Sequence, residues 1–330
     1  MPDKNEKSKE TLPIVIIGAG IAGLCISFYL NKKNIPHIII EKGKAGNTWI
    51  EERWDNFHLV NPNWAMKIPE FGFESDHFPS KDPNGFLNKK EIVNYIQSFA
   101  RYLNSEIYEN ENVIKISKNN NSYEIQTSKR LIHTNTVIIA TGAFGNPYIP
   151  EIHKNLDKDI FQIHSSKYKN STGLPEGKVV VVGSGQSGAQ IAEDLLDSGR
   201  KVILAVSKCG RRPRKYRSKD SSWWNYEMGL FDKTVNDVKL EERWKCSAHT
   251  SGAKGGHDIN LIDLAENGLE LCGSIKNCQG NKLFLKDNVY ENVKFSDTYA
   301  INWRKNVDEF ITKNNIKAPQ ESIKIDERIQ

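Results

Sequence analysis

Two copies of one glycine fingerprint constrain the 330-residue sequence more than any other feature: Gly18-Ala19-Gly20-Ile21-Ala22-Gly23 and Gly183-Ser184-Gly185-Gln186-Ser187-Gly188. Each follows a run of aliphatic residues and opens a segment of helical character, the context in which such a turn binds a dinucleotide pyrophosphate. The first glycine makes the tight turn, the second lets the backbone approach the phosphates, and the third lets the helix pack close to the strand. The helix N-terminus then offers free N–H groups and the positive end of its dipole. One copy alone is a weak signal. Two imply a chain that holds two dinucleotides, naturally a flavin and a nicotinamide, and so redox chemistry. The fold class that follows is α/β, with two Rossmann-like three-layer nucleotide-binding domains of the FAD/NAD(P)-binding kind.

The first copy reads as a complete site. Ile14-Val15-Ile16-Ile17 is too continuously apolar for a half-exposed strand and predicts the buried first strand of a parallel sheet. Leu24 to Leu30 continue the helix, and Ile38-Ile39-Ile40 form the second strand. Glu41 ends that strand, where a carboxylate accepts hydrogen bonds from ribose hydroxyls and repels a 2′-phosphate, so this site takes FAD or NAD rather than NADP. Val137-Ile138-Ile139-Ala140 runs into Thr141-Gly142, a strand ending in a turn that permits close backbone approach to a cofactor. Lys42, Gly46-Asn47-Thr48-Trp49 and Arg53-Trp54-Asp55 follow Glu41 closely. Tryptophans so placed are more often core than cofactor contacts, but the flavin is expected nearby.

The second copy differs at the acidic position. Val179-Val180-Val181-Val182 again predicts a buried strand, and Ala189 to Leu196 a helix that Ser198-Gly199 stops. Val202-Ile203-Leu204-Ala205-Val206 ends at Ser207 with no acid, and Lys208, Arg211, Arg212 and Arg214 follow at once. A hydroxyl and a basic cluster in place of the carboxylate accommodate the extra phosphate of NADP, since guanidinium forks match phosphate oxygens. Most charge runs are solvated turns, but the place of this one, directly after the second strand, points to an NADPH site.

A charged fraction of 26% and a hydrophobic fraction of 38% are those of a globular protein. No stretch approaches the roughly 20 apolar residues that span a bilayer, and MPDKNEKSKE lacks the apolar core of a signal peptide. That tail reads as disordered, and a cytoplasmic location is the default. The net charge of +5 is spread along the chain, which argues against nucleic-acid binding. The five cysteines, Cys25, Cys209, Cys246, Cys272 and Cys278, form no CxxC pair, and the odd count suits a reducing compartment. Cys25 reads as a small core residue. No metal-ligand constellation is apparent.

The segments IIGAGIAGL, EKGKAGNTWIEERWDNFHLVNPNW, VIIATGAFGNPYIP, IHSSKYKN and VVVGSGQSGAQIAEDL, in this order, resemble the flavin-containing monooxygenases, the related Baeyer–Villiger and plant auxin-forming enzymes, and bacterial flavoproteins of that group. They cover most of residues 12 to 215. The resemblance implies that Gly18, Gly20, Gly23, Glu41, Trp49 and Thr141 line FAD, and that Gly183, Gly185, Gly188, Ser207 and the basic cluster line NADPH. It further implies hydride transfer from NADPH to the flavin, then reaction with oxygen at C4a to give a peroxide or hydroperoxide. That adduct would oxygenate a small soft nucleophile or carbonyl inside a dry pocket.

Two departures stand out. The family's monooxygenase signature survives only in its second half, His164-Ser165-Ser166-Lys167-Tyr168, with Lys158-Asp159-Ile160 where Phe-x-Gly belongs. His164 reads equally as a coupling residue or a plain hydrogen-bonding one. Asn61 and Asn63 are the candidates for the flavin-adjacent asparagine of nitrogen-oxidising members, although the spacing does not match cleanly. The second departure is the absence of the family's C-terminal return to the flavin domain. In its place stand a stretch with Trp223, Trp224, Trp244 and Trp303, strands at Leu269 to Leu271 and Leu283 to Leu285, and a helix around Ala300 to Thr312. His249 and His257 flank a glycine-rich loop, expected to be structural rather than a cover for substrate.

The expected organisation is a disordered tail 1–11, an FAD domain 12–155, an NADPH domain with insertion 156–315 and a charged tail 316–330. The chain reads as shortened, with flavin-domain apolar surface uncovered and weaker FAD retention. It would act as a homodimer or with a complementing C-terminal fragment. Three readings stay open: a flavin monooxygenase, an NADPH-dependent flavin reductase or oxidase that does not oxygenate, and a non-catalytic dinucleotide-binding remnant.

Overall fold

The computed structural model describes residues 9–243, 245–323 and 326–329. They form two compact units: residues up to Arg53 with Asn63–Tyr148, and Trp54–Pro62 with the chain from Ile149 onward.

The first unit contains β1 (Lys9–Ile17), α1 (Ile21–Lys32), β2 (His37–Ile40), α2 (Asn47–Glu51), α3 (Lys89–Leu103), β3 (Ile107–Tyr108), β4 (Val113–Asn119), β5 (Ser122–Thr127) and β6 (Leu131–Ile139). One six-stranded sheet runs β3-β2-β1-β6-β5-β4. Its first four strands are parallel, and β6, β5 and β4 form an antiparallel meander. The aliphatic runs are buried as their composition demands: Val15, Ile17, Ile38 and Ile40 join Ile125 and Ile132 in one core cluster. Asn88 and Glu91 start α3 with a capping box, each side chain accepting the other's backbone N–H. β1 begins at Lys9, inside the stretch read as a tail; residues 1–8 lie outside the described residues.

The second unit contains β7 (Val179–Val182), α4 (Gln186–Asp197), β8 (Val202–Ala205), β9 (Lys215–Tyr216), β10 (Lys219–Asp220), α5 (Ser221–Glu227), α6 (Leu261–Glu266), β11 (Glu270–Cys272), β12 (Ile275–Gln279), β13 (Lys282–Leu285) and α7 (Val289–Lys313). A parallel sheet runs β11-β8-β7, and β9–β10 and β12–β13 are separate hairpins. The aromatic stretch builds its own core from Tyr216, Trp224, Trp303, Val307 and Ile311. The indoles of Trp224 and Trp303 donate to Tyr216 O and Asn225 Oδ1 at 2.8 and 2.9 Å, so neither buried N–H is lost. Trp244 lies outside the described residues.

One strand departs from expectation. β7 is not buried: its residues alternate between half-buried and exposed, and Val182 is 65% exposed. Among the described residues it pairs with β8 on one side only, so a continuous aliphatic run here marks a sheet edge. α7 starts eleven residues before Ala300. The charged C-terminal segment is engaged rather than free: Arg328 reaches Asp263 and Glu266 around α6 at 2.6 and 2.7 Å. No described helix is long and apolar enough to cross a membrane.

Candidate functional site

In the first unit the fingerprint turn is shaped by what cannot fit. Gly18 has φ +109°, and an added Cβ would lie 2.3 Å from Ala140 O; at Gly23 it would lie 2.0 Å from Gly18 O. Over Gly20 nothing stands within 4 Å of the same position. The turn is therefore closed beneath and open above, as a backbone that must approach a pyrophosphate requires. Ala140 N donates to Ile17 O and Gly18 N to Ile40 O, both at 2.8 Å, which ties the ends of β1, β2 and β6 together.

Glu41, only 7% exposed, accepts from Ala19 N at 2.8 Å and from Gly43 N at 3.1 Å. The carboxylate thus braces the fingerprint from within, a function its spacing did not disclose. Gly46 N donates to Ala19 O at 3.0 Å, so the segment leading into α2 folds back onto the same turn. Arg53 lies over the rings of Trp49 and Phe144, 5.3 and 5.9 Å from their centroids. Lys42 pairs with Glu52 at 3.2 Å on the surface. Thr141 and Gly142 are exposed beyond the end of β6, and Gly142 has φ +78°. Ile21 and Ala22 stand in the first turn of α1.

The second fingerprint repeats the geometry. Gly183 has φ +90°, a Cβ on Gly188 would lie 2.0 Å from Gly183 O, and nothing stands within 4 Å over Gly185. Gln186 and Ser187 open α4. Ser184 and Ser207 are stapled reciprocally: Ser184 Oγ donates to Ser207 O at 3.0 Å and accepts from Ser207 N at 2.9 Å. The buried His249 donates its Nε2–H to Ser184 O, and Gln186 bonds Thr250 O. Burial pushes His249 below its ordinary value. The strip at His249 and Thr250 thus props the fingerprint.

The basic cluster is divided by its neighbours. Arg211 is held by Asp297 and, at 3.1 Å, by Asp258. Arg214 is buried with Asp220 at 2.7 Å and donates to Val60 O. Arg212 donates to Ser221 Oγ at 3.0 Å. Lys208 is exposed directly after Ser207. Sequence reasoning missed the acidic partners because Asp258 and Asp297 lie 47 and 86 residues from Arg211.

Asn61 is exposed and belongs to the second unit, whereas Asn63 is buried in the first. Asn63 donates from its backbone to Gly85 O and from its side chain to Asp82 O, both at 2.9 Å, which fixes the 82–85 turn. His164 caps a short helical turn, its Nδ1 accepting from Ser166 N at 3.2 Å. Tyr168 is buried and donates to Asp194 at 2.6 Å at the end of α4, and burial and this carboxylate push its phenol up.

The sequence profile of the pyridine nucleotide-disulphide oxidoreductase family matches residues 15–242. An uncharacterized CzcO-like oxidoreductase of Geobacillus kaustophilus is 34% identical over 225 residues, which cover 68% of this chain and 62% of the relative. The probable indole-3-pyruvate monooxygenase YUCCA1 of Arabidopsis thaliana is 30% identical over 203 residues, covering 58% of this chain and 46% of the relative. The chain thus spans less than two thirds of the length of these curated relatives. A flavin-containing monooxygenase from Stenotrophomonas maltophilia shares the fold at a TM-score of 0.56 and 16% identity, over 92% of this chain and 99% of that one.

Proposed function

The chain belongs to the pyridine nucleotide-disulphide oxidoreductase family, among its flavin-monooxygenase-like members, and from that premise we propose that it is an FAD-dependent, NADPH-using oxidoreductase that oxygenates a small soft nucleophile or carbonyl. The observation that carries this reading is the doubled turn, closed beneath and open above Gly20 and Gly185. In the first unit, the proposed flavin unit, the backbone from Gly18 to Gly23 would cradle the pyrophosphate of FAD. Glu41 holds that turn and presents its remaining acceptor capacity to the ribose. In the second unit, Gly183 to Gly188 would hold the NADPH pyrophosphate, with Ser207 and Lys208 at the place of the 2′-phosphate. Glu41 excludes a 2′-phosphate from the first site by charge, and the absence of an acid at Ser207 admits it to the second.

Bound together, the two cofactors supply hydride transfer and oxygen activation. The side chains contribute position rather than acid–base catalysis: Trp49 and Arg53 stack beside the fingerprint, and His249 and Gln186 keep the second turn rigid.

The test is the visible spectrum of the purified chain with FAD, titrated with NADPH without oxygen and then opened to air with an amine or sulfide present. A yellow protein that bleaches and recovers with oxygenated product supports the proposal. Recovery with peroxide equal to the NADPH consumed would make it a reductase or oxidase. A protein that stays colourless after FAD is added would remove the flavin site as assigned.

A further inference from the structure

Two of the five cysteines, 37 residues apart in the chain, meet beside the second fingerprint: Cys246 Sγ lies 2.7 Å from Cys209 Sγ. Cys209 is buried directly after Ser207-Lys208, and its thiol also donates to Ser247 O at 3.3 Å. Cys246 is exposed. Its segment runs straight into Ala248-His249-Thr250, the strip that braces Ser184 and Gln186. His249 N donates to Gly210 O at 2.8 Å, so the two cysteine-bearing strips already lie side by side.

We propose that Cys209 and Cys246 form a reversible disulfide with hydroperoxides as oxidant, a redox modification site that locks the loop after β8 to the strip beneath the second fingerprint. The exposed Cys246 is the attacking sulfur and the buried Cys209 resolves. In the first step a Cys246 S–O bond forms as the peroxide O–O bond breaks, leaving a sulfenic acid and releasing an alcohol, or water from hydrogen peroxide. In the second step Cys209 sulfur attacks Cys246 sulfur, the S–O bond breaks, and hydroxide leaves with the Cys209 proton as water. Two thiols lose two electrons and two protons, and the peroxide gains them.

The local chemistry assigns the roles in the same way. The hydrogen bond shared with Cys209 pulls the Cys246 thiol down to about 7, while that bond and burial push Cys209 up. Burial raises Cys25 and Cys272 as well, so Cys246 is better ionised near neutral pH than Cys25, Cys209 or Cys272. The inference concerns the sulfur pair itself and stands whichever nucleotide the second turn binds.

The experiment uses the full chain, reduced and desalted, then exposed to hydrogen peroxide near neutral pH, with free thiols alkylated and the peptides mapped by mass. The expected result is one Cys209–Cys246 disulfide, reversed by dithiothreitol, with Cys246 lost roughly threefold or more faster than Cys25 or Cys272. In Cys209→Ser, Cys246 should stop at a sulfenic acid that dimedone traps. Recovery of Cys209 and Cys246 as thiols in a sample where Cys25 or Cys272 is oxidised overturns the proposal. So does Cys246 bridged between molecules with Cys209 still free. The wild-type map decides the matter even if the serine variant does not fold.

Discussion

Gly20 and Gly23 belong to the same turn and serve it for different reasons, which substitution separates. Alanine at Gly23 drives a methyl into Gly18 O and forces α1 away from β1, at a cost of about 1–3 kcal/mol in urea unfolding. Alanine at Gly20 meets no protein atom within 4 Å, so stability should stay within about 0.5 kcal/mol while FAD content falls sharply. Equal loss of stability in both would mean that the open side of the turn has been misassigned. At the second turn the proposed NADPH contact is tested at Lys208. Lys208→Ala should weaken NADPH roughly tenfold and leave NADH unchanged in binding titrations, as expected for one lost charge-assisted contact to the 2′-phosphate. Arg211 is the wrong residue for that test. Its loss leaves the nearly buried Asp297 without its cation, and the damage would be to folding.

At the scale of elements, α4 is joined to the 253–258 loop by ionic contacts: His257 Nε2 meets Glu193 at 2.7 Å, and Lys254 meets Glu193 and Asp197 at 3.5 and 2.6 Å. The hydrogen bond to Glu193 raises His257 above its ordinary value of 6.5, against burial. Burial pushes Glu193 up, but the bonds and charges of His257 and Lys254 outweigh it and hold the carboxyl below 4.5. The His257 contribution is full below pH 6.5 and is lost as pH rises through the raised folded value; the Glu193 contribution is present above 4.5 and is lost as pH falls through the lowered one. Melting followed from pH 5 to 9 should show a decline above 6.5 of order 1 kcal/mol or less that His257→Gln lacks. An unchanged profile in the variant would remove His257 from that role. Element by element, β1, β2, α1, α4 and β8 were legible because each is written in a local run of consistent character. The first half of α7 was not, since Asn292, Ser296, Asp297 and Thr298 are poor helix formers, and tertiary burial of Asn292, Ser296 and Asp297 holds the segment helical.

The whole molecule divides into two units, and nucleotide binding should report on them separately. With FAD at about a hundredfold excess over its dissociation constant, one unfolding step should gain roughly 2.7 kcal/mol, and NADP⁺ should raise the other step by a similar amount. Calorimetry in which both ligands move the same step by the same amount would count against the assignment of one cofactor to each unit. The unit boundary itself could not be read in advance. Trp54–Pro62 belongs to the second unit although sequence on both sides belongs to the first, because Asp55 N bonds Lys169 O and Arg214 reaches Val60 O, pairings across more than a hundred residues. The sequence by itself determined the two strand-turn-helix fingerprints, the acid that follows one and is missing from the other, and through them the family. Each of these is a backbone requirement expressed within a few neighbouring residues. Only the tertiary structure decided that Glu41 braces its own turn, that Arg211 is held by Asp258 and Asp297, that β7 lies at an edge, and that Cys209 meets Cys246. Those are pairings between side chains or strands far apart in the chain, and spacing along a sequence carries no record of which distant groups packing will bring together.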